Sequence, residues 1–155
     1  MIKKPIIFAL FLALAACGAP KEVVFPDDTT MIILRHADRT DENLNELGVE
    51  RAKSLVGALD GVNIDVIFSP GIQRNLDTAA PLAEARGLKV RRVPMENPAN
   101  RLAKRGEGKT FVWIGNKGNL KSIWKSFGLP SVPPLEYGDL FFVTTKGVKR
   151  VRFGP

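Results

Sequence analysis

The sequence predicts a three-layer α/β/α sandwich built on a mostly parallel sheet. Two observations carry this. Short apolar runs that suit buried strands alternate with longer segments of helical periodicity over residues 31–127, a pattern punctuated by Gly, Pro and Asp. The composition, 45% apolar and 25% charged, is that of a globular domain and excludes both a disordered tail and a membrane bundle. At 155 residues there is room for one domain and a leader.

The leader comes first. Lys3 and Lys4 precede an apolar run over 6–14, which has the length of a signal-peptide core rather than of a membrane span. Leu14-Ala15-Ala16-Cys17 resembles a bacterial lipobox, so residues 1–16 are expected to be a lipoprotein signal peptide and Cys17 the lipidated N-terminus. A plain secretory signal is the alternative. Gly18 follows the cysteine and supplies no acidic retention signal, which points to the outer membrane, with the domain facing the periplasm. Residues 17–30 then read as a tether, and 31–155 as the domain.

Within the domain, 31–34 reads as a buried strand. A helix is predicted over 44–59, where Leu47, Ala52, Leu55, Val56 and Leu59 share a face and Asp60-Gly61 ends it. A second strand spans 64–68. A second helix spans 71–85, with Pro81 expected to kink it or to begin a new segment. A third strand follows over 88–93, and 94–108 is a polar stretch expected to be a loop with one or two helical turns. The fourth strand covers 110–114 and the third helix 119–127. Two last strands, 140–145 and 148–153, are joined at Lys146-Gly147 as a hairpin.

Charge is uneven along the chain. The formal +7 falls to +5 once Lys3 and Lys4 leave with the signal. Residues 17–100 carry ten basic and thirteen acidic side chains, whereas 101–155 carry eleven and three. The basic third suits anionic lipid, a phosphorylated ligand or simple solvation; no basic–aromatic pattern accompanies it, so nucleic acid is not an expected partner.

The chain holds one histidine, His36, and one cysteine, Cys17. These counts exclude an intramolecular disulfide, a cysteine-rich zinc site and every catalytic scheme that needs two histidines. Ligands of open parallel sheets bind beyond the carboxyl ends of the strands. Three segments fall there: Leu34-Arg35-His36-Ala37, Ser69-Pro70-Gly71-Ile72-Gln73-Arg74 and Gly115-Asn116-Lys117-Gly118-Asn119. Two arginines beside an imidazole resist burial in a plain core, but they suit a phosphoryl group, which guanidinium groups hold bidentately. They also disfavour the imidazolium, leaving a neutral, nucleophilic ring.

These segments resemble the histidine phosphatase superfamily, also called the phosphoglycerate-mutase-like family. Arg35-His36-Ala37 is similar to its Arg-His-Gly/Ala signature. LNELGVERA at 44–52 is similar to the following Leu-Thr-x-x-Gly-x-x-Gln-Ala helix, and IFSPGIQRNLDTAAPLA at 67–83 to the Ser-Ser-Pro-x-x-Arg-x-x-x-Thr-Ala segment. The likeness runs from about Met31 to Val93 and resumes at Thr110.

The resemblance implies the phosphoglycerate-mutase-like fold and hydrolysis of a phosphate monoester, from a small molecule or a phosphoprotein, without metal or cofactor. His36 would accept the phosphoryl group, and Arg35 and Arg74 would clamp it. Asp38 and Arg39 would line the entrance, and Thr78 would pack or cap within its helix. Glu96 is the best-placed candidate for the acid that protonates the leaving oxygen, with Glu107 second. One departure stands out. Where members read Val-Gly-His-x-Asn-Thr, this chain has Ile114-Gly115-Asn116-Lys117-Gly118-Asn119, so Asn116 replaces the second catalytic histidine. Asn116 can still donate an N–H to phosphate, with Lys117 nearby, while Asn119 is expected to cap the helix. Losing a charge-bearing donor costs on the order of a hundredfold in rate. Three readings therefore stay open: a weak or specialised phosphatase, a catalytically inactive phosphate-binding relative, and an envelope interaction lipoprotein.

Overall fold

The computed structural model describes residues 22–155; the expected signal peptide and Cys17 lie outside them. Six strands form one sheet in the order β5-β4-β6-β1-β7-β8: β1 (Thr30–Arg35), β4 (Val66–Ser69), β5 (Val90–Arg92), β6 (Thr110–Gly115), β7 (Asp139–Thr144) and β8 (Gly147–Arg152). β5, β4, β6 and β1 run parallel, and β7 and β8 complete the sheet as an antiparallel hairpin. Two short strands, β2 (Arg39–Thr40) and β3 (Asn43–Leu44), pair separately just after β1.

Alternation along the central strands sorts the core into two layers. Met31, Ile33, Phe111 and Trp113 face α3 (Pro98–Gly106) and α4 (Lys117–Ser126). Ile32, Leu34, Val112 and Ile114 face α1 (Glu46–Ala58) and α2 (Gln73–Arg86). All eight strand residues are essentially inaccessible, as expected of parallel strands covered on both faces. β1 and β6 are neighbours, yet their following helices pack on opposite faces. That makes the crevice between their carboxyl ends the topological switch point of the sheet.

Several local expectations are corrected. Pro81 does not begin a new segment: α2 runs through it as one element, because Thr78, Ala79, Leu82 and Ala83 stay buried on both sides of it. The 94–108 stretch holds a nine-residue helix, α3, which Pro98 opens and which buries Ala99 and Leu102. Of the expected tether, residues from Val23 onward lie against the domain: the Val23 amide donates to Ser126 O at 2.7 Å, and Phe25 packs edge-on against Phe127. No helix of the described residues is long and apolar enough to cross a membrane.

The turn after β1 is fixed by one close approach. A Cβ on Gly48, in the first turn of α1, would run into the Asp38 carbonyl oxygen. Asp38 itself is buried, not at the entrance: its carboxylate accepts from Arg51 Nε at 2.5 Å, and Arg51 also reaches Phe153 O. Gly48→Ala is expected to destabilise the protein by about 2–3 kcal/mol in urea unfolding. Gly57→Ala on the same helix meets open space and should be neutral or stabilising by up to about 1 kcal/mol.

Candidate active site

The register of the sheet assembles the site. β1 and β6 pair from Thr30↔Thr110 to Arg35↔Gly115, so the next residues, His36 and Asn116, leave the sheet side by side. The His36 amide donates to Gly115 O at 2.8 Å and closes that edge. The β4 end is tied in by Ser69 Oγ, which donates to Ile114 O, and by Asn75 Nδ2 of α2, which donates to the same carbonyl. Thr78 does more than pack. Its hydroxyl accepts from the Ala37 amide at 3.0 Å and donates to Arg74 O at 2.7 Å, locking α2 against the residue after His36.

His36 is only 2% exposed. Its Nδ1–H donates to Ala37 O at 2.8 Å, which leaves Nε2 unprotonated, and that nitrogen's lone pair accepts from Arg74 Nε–H at 3.3 Å. Burial pushes the imidazole pKa down to about 4, against the opposing bond to Ala37; the Arg35, Arg74 and Arg39 charges lower it further. The ring is therefore neutral at ordinary pH, with its bare nitrogen facing a guanidinium.

Arg35 is held from the opposite side. Nη1 donates to Leu135 O at 3.0 Å and Nη2 to the Tyr137 hydroxyl at 2.9 Å, while the guanidinium carbon lies 3.9 Å from the centre of the Tyr137 ring. Its buried Nε has no partner among the described residues. Tyr137, the only tyrosine of the chain, also tilts against the His36 ring at 5.9 Å. Sequence reasoning missed it, because it lies a hundred residues away in a segment that carries no motif.

Glu42 is the second residue missed. It sits in the turn between β2 and β3, where its carboxylate accepts from Arg74 Nη1 and approaches Arg39 at 3.9 Å. Arg74 thus bridges an exposed carboxylate and the bare nitrogen of His36. An acidic residue six positions after the histidine, in a polar turn, was the available signal. Arg39 donates to Asp41 O and belongs to this turn.

Asn116 is the N-cap of α4, the place assigned above to Asn119. Its Oδ1 accepts from the Gly118 and Asn119 amides, and Asn119 Oδ1 accepts in return from the Asn116 amide, a reciprocal capping box. Gly115 must be glycine because a Cβ there would overlap Asn119 Oδ1 and the Trp113 indole nitrogen. With Oδ1 committed to the cap, Asn116 Nδ2 remains a donor, 3.9 Å from Met95 Sδ. Lys117 is exposed at the first position of α4.

The two carboxylates named from sequence fare differently. Glu96 is exposed beside Met95 and lines a cleft of about 620 Å³ with Gly71, Ile72, Arg92 and Arg105, at the same sheet edge as His36. Its backbone carbonyl accepts from Arg101, and no side-chain contact joins it to His36 among the described residues. Glu107 caps the far end of α3, before β6 begins, and so lies at the opposite edge of the sheet. No three or more His, Cys, Asp or Glu side chains among the described residues gather where they could hold a metal ion.

The depressed His36 pKa makes stability depend on pH. Between about pH 6.5 and about pH 4 the unfolded chain binds a proton that folded His36 refuses. Stability should therefore fall as pH drops through that window, by up to about 3 kcal/mol. His36→Gln should flatten this part of the profile of urea midpoints, and parallel profiles for the two proteins would refute it.

The fold is shared with several solved structures. The chain is similar in fold to the alpha-ribazole phosphatase from Shigella flexneri, with a TM-score of 0.61 and 16% identity over 81% of this chain and 96% of that one. It is likewise similar to a mycobacterial glucosyl-3-phosphoglycerate phosphatase solved with inorganic phosphate, with a TM-score of 0.58 and 16% identity over 82% and 96% of the two chains. The protein histidine phosphatase SixA complexed with tungstate gives a TM-score of 0.59 and 14% identity over 81% and 96%. No curated protein matches the chain. The model of the histidine phosphatase superfamily (branch 1) matches residues 32–124, well over half of the sequence and the span that builds the switch-point crevice. The chain belongs to the histidine phosphatase superfamily, which supports a phosphatase-type, hydrolytic function.

Proposed function

We propose that the protein hydrolyses phosphate monoesters through a phosphohistidine at His36. The observation that carries this is the buried neutral imidazole with its bare Nε2 turned to Arg74. Nε2 would attack phosphorus as the bond to the leaving oxygen breaks and that oxygen takes a proton; water then cleaves the P–N bond and restores His36. Arg74 would hold phosphoryl oxygens, and Arg35 would do so through its unpartnered Nε. Asn116 Nδ2 would supply one neutral hydrogen bond where the family carries an imidazole, and Lys117 a cation at the rim.

For the proton donor, Glu96 remains a candidate from the cleft side, and Glu42 joins it from the Arg74 side. A phosphate entering the clamp would compete with the Glu42 carboxylate for Arg74, which frees Glu42 beside the leaving group. The neighbours' substrates, phosphorylated small molecules in two cases and a protein phosphohistidine in the third, define the classes to screen.

One observation favours the alternative of an inactive phosphate-binding relative: both terminal nitrogens of Arg35 are given to Leu135 O and Tyr137 rather than to the crevice. Aryl phosphate turnover separates the two. The proposal expects an acid-labile phosphoprotein in the wild type and none in His36→Ala; equal residual activity in both would refute it. Under either reading, phosphate or vanadate should raise Tm, and Arg74→Ala should abolish the rise.

Asn116→His should raise kcat, by on the order of a hundredfold if charge at this position limits turnover. It should also lower stability by about 1 kcal/mol, because imidazole is the poorer N-cap. The envelope location expected from Cys17 belongs to the same proposal. Cys17→Ser should then prevent acylation, read as loss of palmitate labelling.

A further inference from the structure

The two helical layers differ sharply in charge. α1 and α2 together contain four acidic residues (Glu46, Glu50, Asp77, Glu84) and four basic ones (Arg51, Lys53, Arg74, Arg86), a net of zero. α3 and α4 contain no acidic residue and six basic ones: Arg101, Lys104, Arg105, Lys117, Lys121 and Lys125. All six are exposed, since Ala99, Leu102, Leu120, Ile123 and Trp124 take the faces turned to the sheet. None of the six takes part in an ion pair among the described residues, whereas Arg51, Lys53, Arg74, Arg150 and Arg152 all do. Stability gains nothing from six like charges on one face, because they repel one another.

The described chain also begins at this face. The Val23 amide is bonded to Ser126 O at the end of α4, and Val23 and Phe25 pack into the core layer beneath α3 and α4. Cys17 and the apolar run over 6–14 precede that point, and five residues lie between Cys17 and Val23, a span of about 20 Å at most.

We infer that the outer face of α3 and α4 is a docking surface for an anionic phospholipid membrane. The exposed ammonium and guanidinium groups of α3 and α4 meet headgroup phosphates. Both helices begin at the sheet edge that carries His36 and Asn116. Docked this way, the crevice opens sideways, along the membrane plane, and stays accessible. The inference stands on the charge of this face and does not require the protein to be a phosphatase.

The test is vesicle co-sedimentation of the full chain carrying Cys17→Ser, which removes acylation and leaves every other residue in place. Vesicles of phosphatidylcholine alone are compared with vesicles containing phosphatidylglycerol. Binding should be about tenfold or more stronger on the anionic vesicles and should lose that preference in high salt. Lys121→Glu/Lys125→Glu, and separately Arg101→Glu/Lys104→Glu, should each abolish most of the preference. Lys146→Glu/Lys149→Glu, an equal charge change on the exposed β7–β8 hairpin, should keep it. All six positions are exposed, so unchanged Tm values verify the fold. No preference for anionic vesicles, or an equal loss in the hairpin variant, would overturn the inference. So would tighter binding to a phosphorylated peptide or to DNA than to the vesicles.

Discussion

The site depends on keeping one imidazole neutral among guanidinium groups. His36 is buried, and burial together with Arg35, Arg74 and Arg39 makes protonation unfavourable. Such an arrangement survives only if each cation has a partner of its own, because an unpaired buried charge is far costlier than a paired one. Here Arg74 has Glu42, Arg35 has the Leu135 carbonyl and the Tyr137 hydroxyl and ring, and Arg51 beneath them has Asp38. Every one of these partners lies outside the helices and the main sheet. The loops therefore do not merely connect elements; they supply the balancing groups that let the cations sit beside a bare nitrogen.

Those cations are placed by the sheet. β1 and β6 deliver residues 36 and 116 to adjacent positions because they pair in register to Arg35↔Gly115. α2 is then fixed at the same edge by Asn75, Thr78 and the Ile114 carbonyl, which sets Arg74 over His36. Asn116 fits this frame in its own way. A histidine there would offer charge to a phosphoryl group, whereas asparagine offers a tight cap and a single neutral donor. The reciprocal bonds between Asn116 and Asn119 explain how the start of α4 stays ordered without the family's residue.

The asymmetry of the helical layers adds a second level of organisation. One layer is charge-balanced and carries Arg74, Asn75 and Thr78 to the crevice; the other is uniformly cationic outside and holds the N-terminal segment. Both meet at the carboxyl edge of the parallel strands, where α4 begins at Asn116 beside His36.

The alternation of strands and helices, the burial of the strands and the residues at their carboxyl ends were legible in the sequence, since buried strands write apolar runs; Arg35-His36 and Gly115-Asn116 stand at the ends of two of them, and Gln73-Arg74 opens the helix after a third. Periodicity failed where it was short or interrupted. Pro81 does not begin a new segment, because α2 packs on both sides of it, and α3 was hidden by a polar face that surrounds only Pro98, Ala99 and Leu102. Asp38, expected at the entrance, is internal because Arg51, thirteen residues later, turns in to meet it. Tyr137 could not be read at all as a site residue, and Glu42 only as an acidic residue in the polar turn after His36. Their importance lies in what they touch, Arg74 and Arg35, and contacts across tens of residues leave no local pattern. The sequence by itself determined which groups could do chemistry; the tertiary structure decided which of them are charged, paired and facing one another.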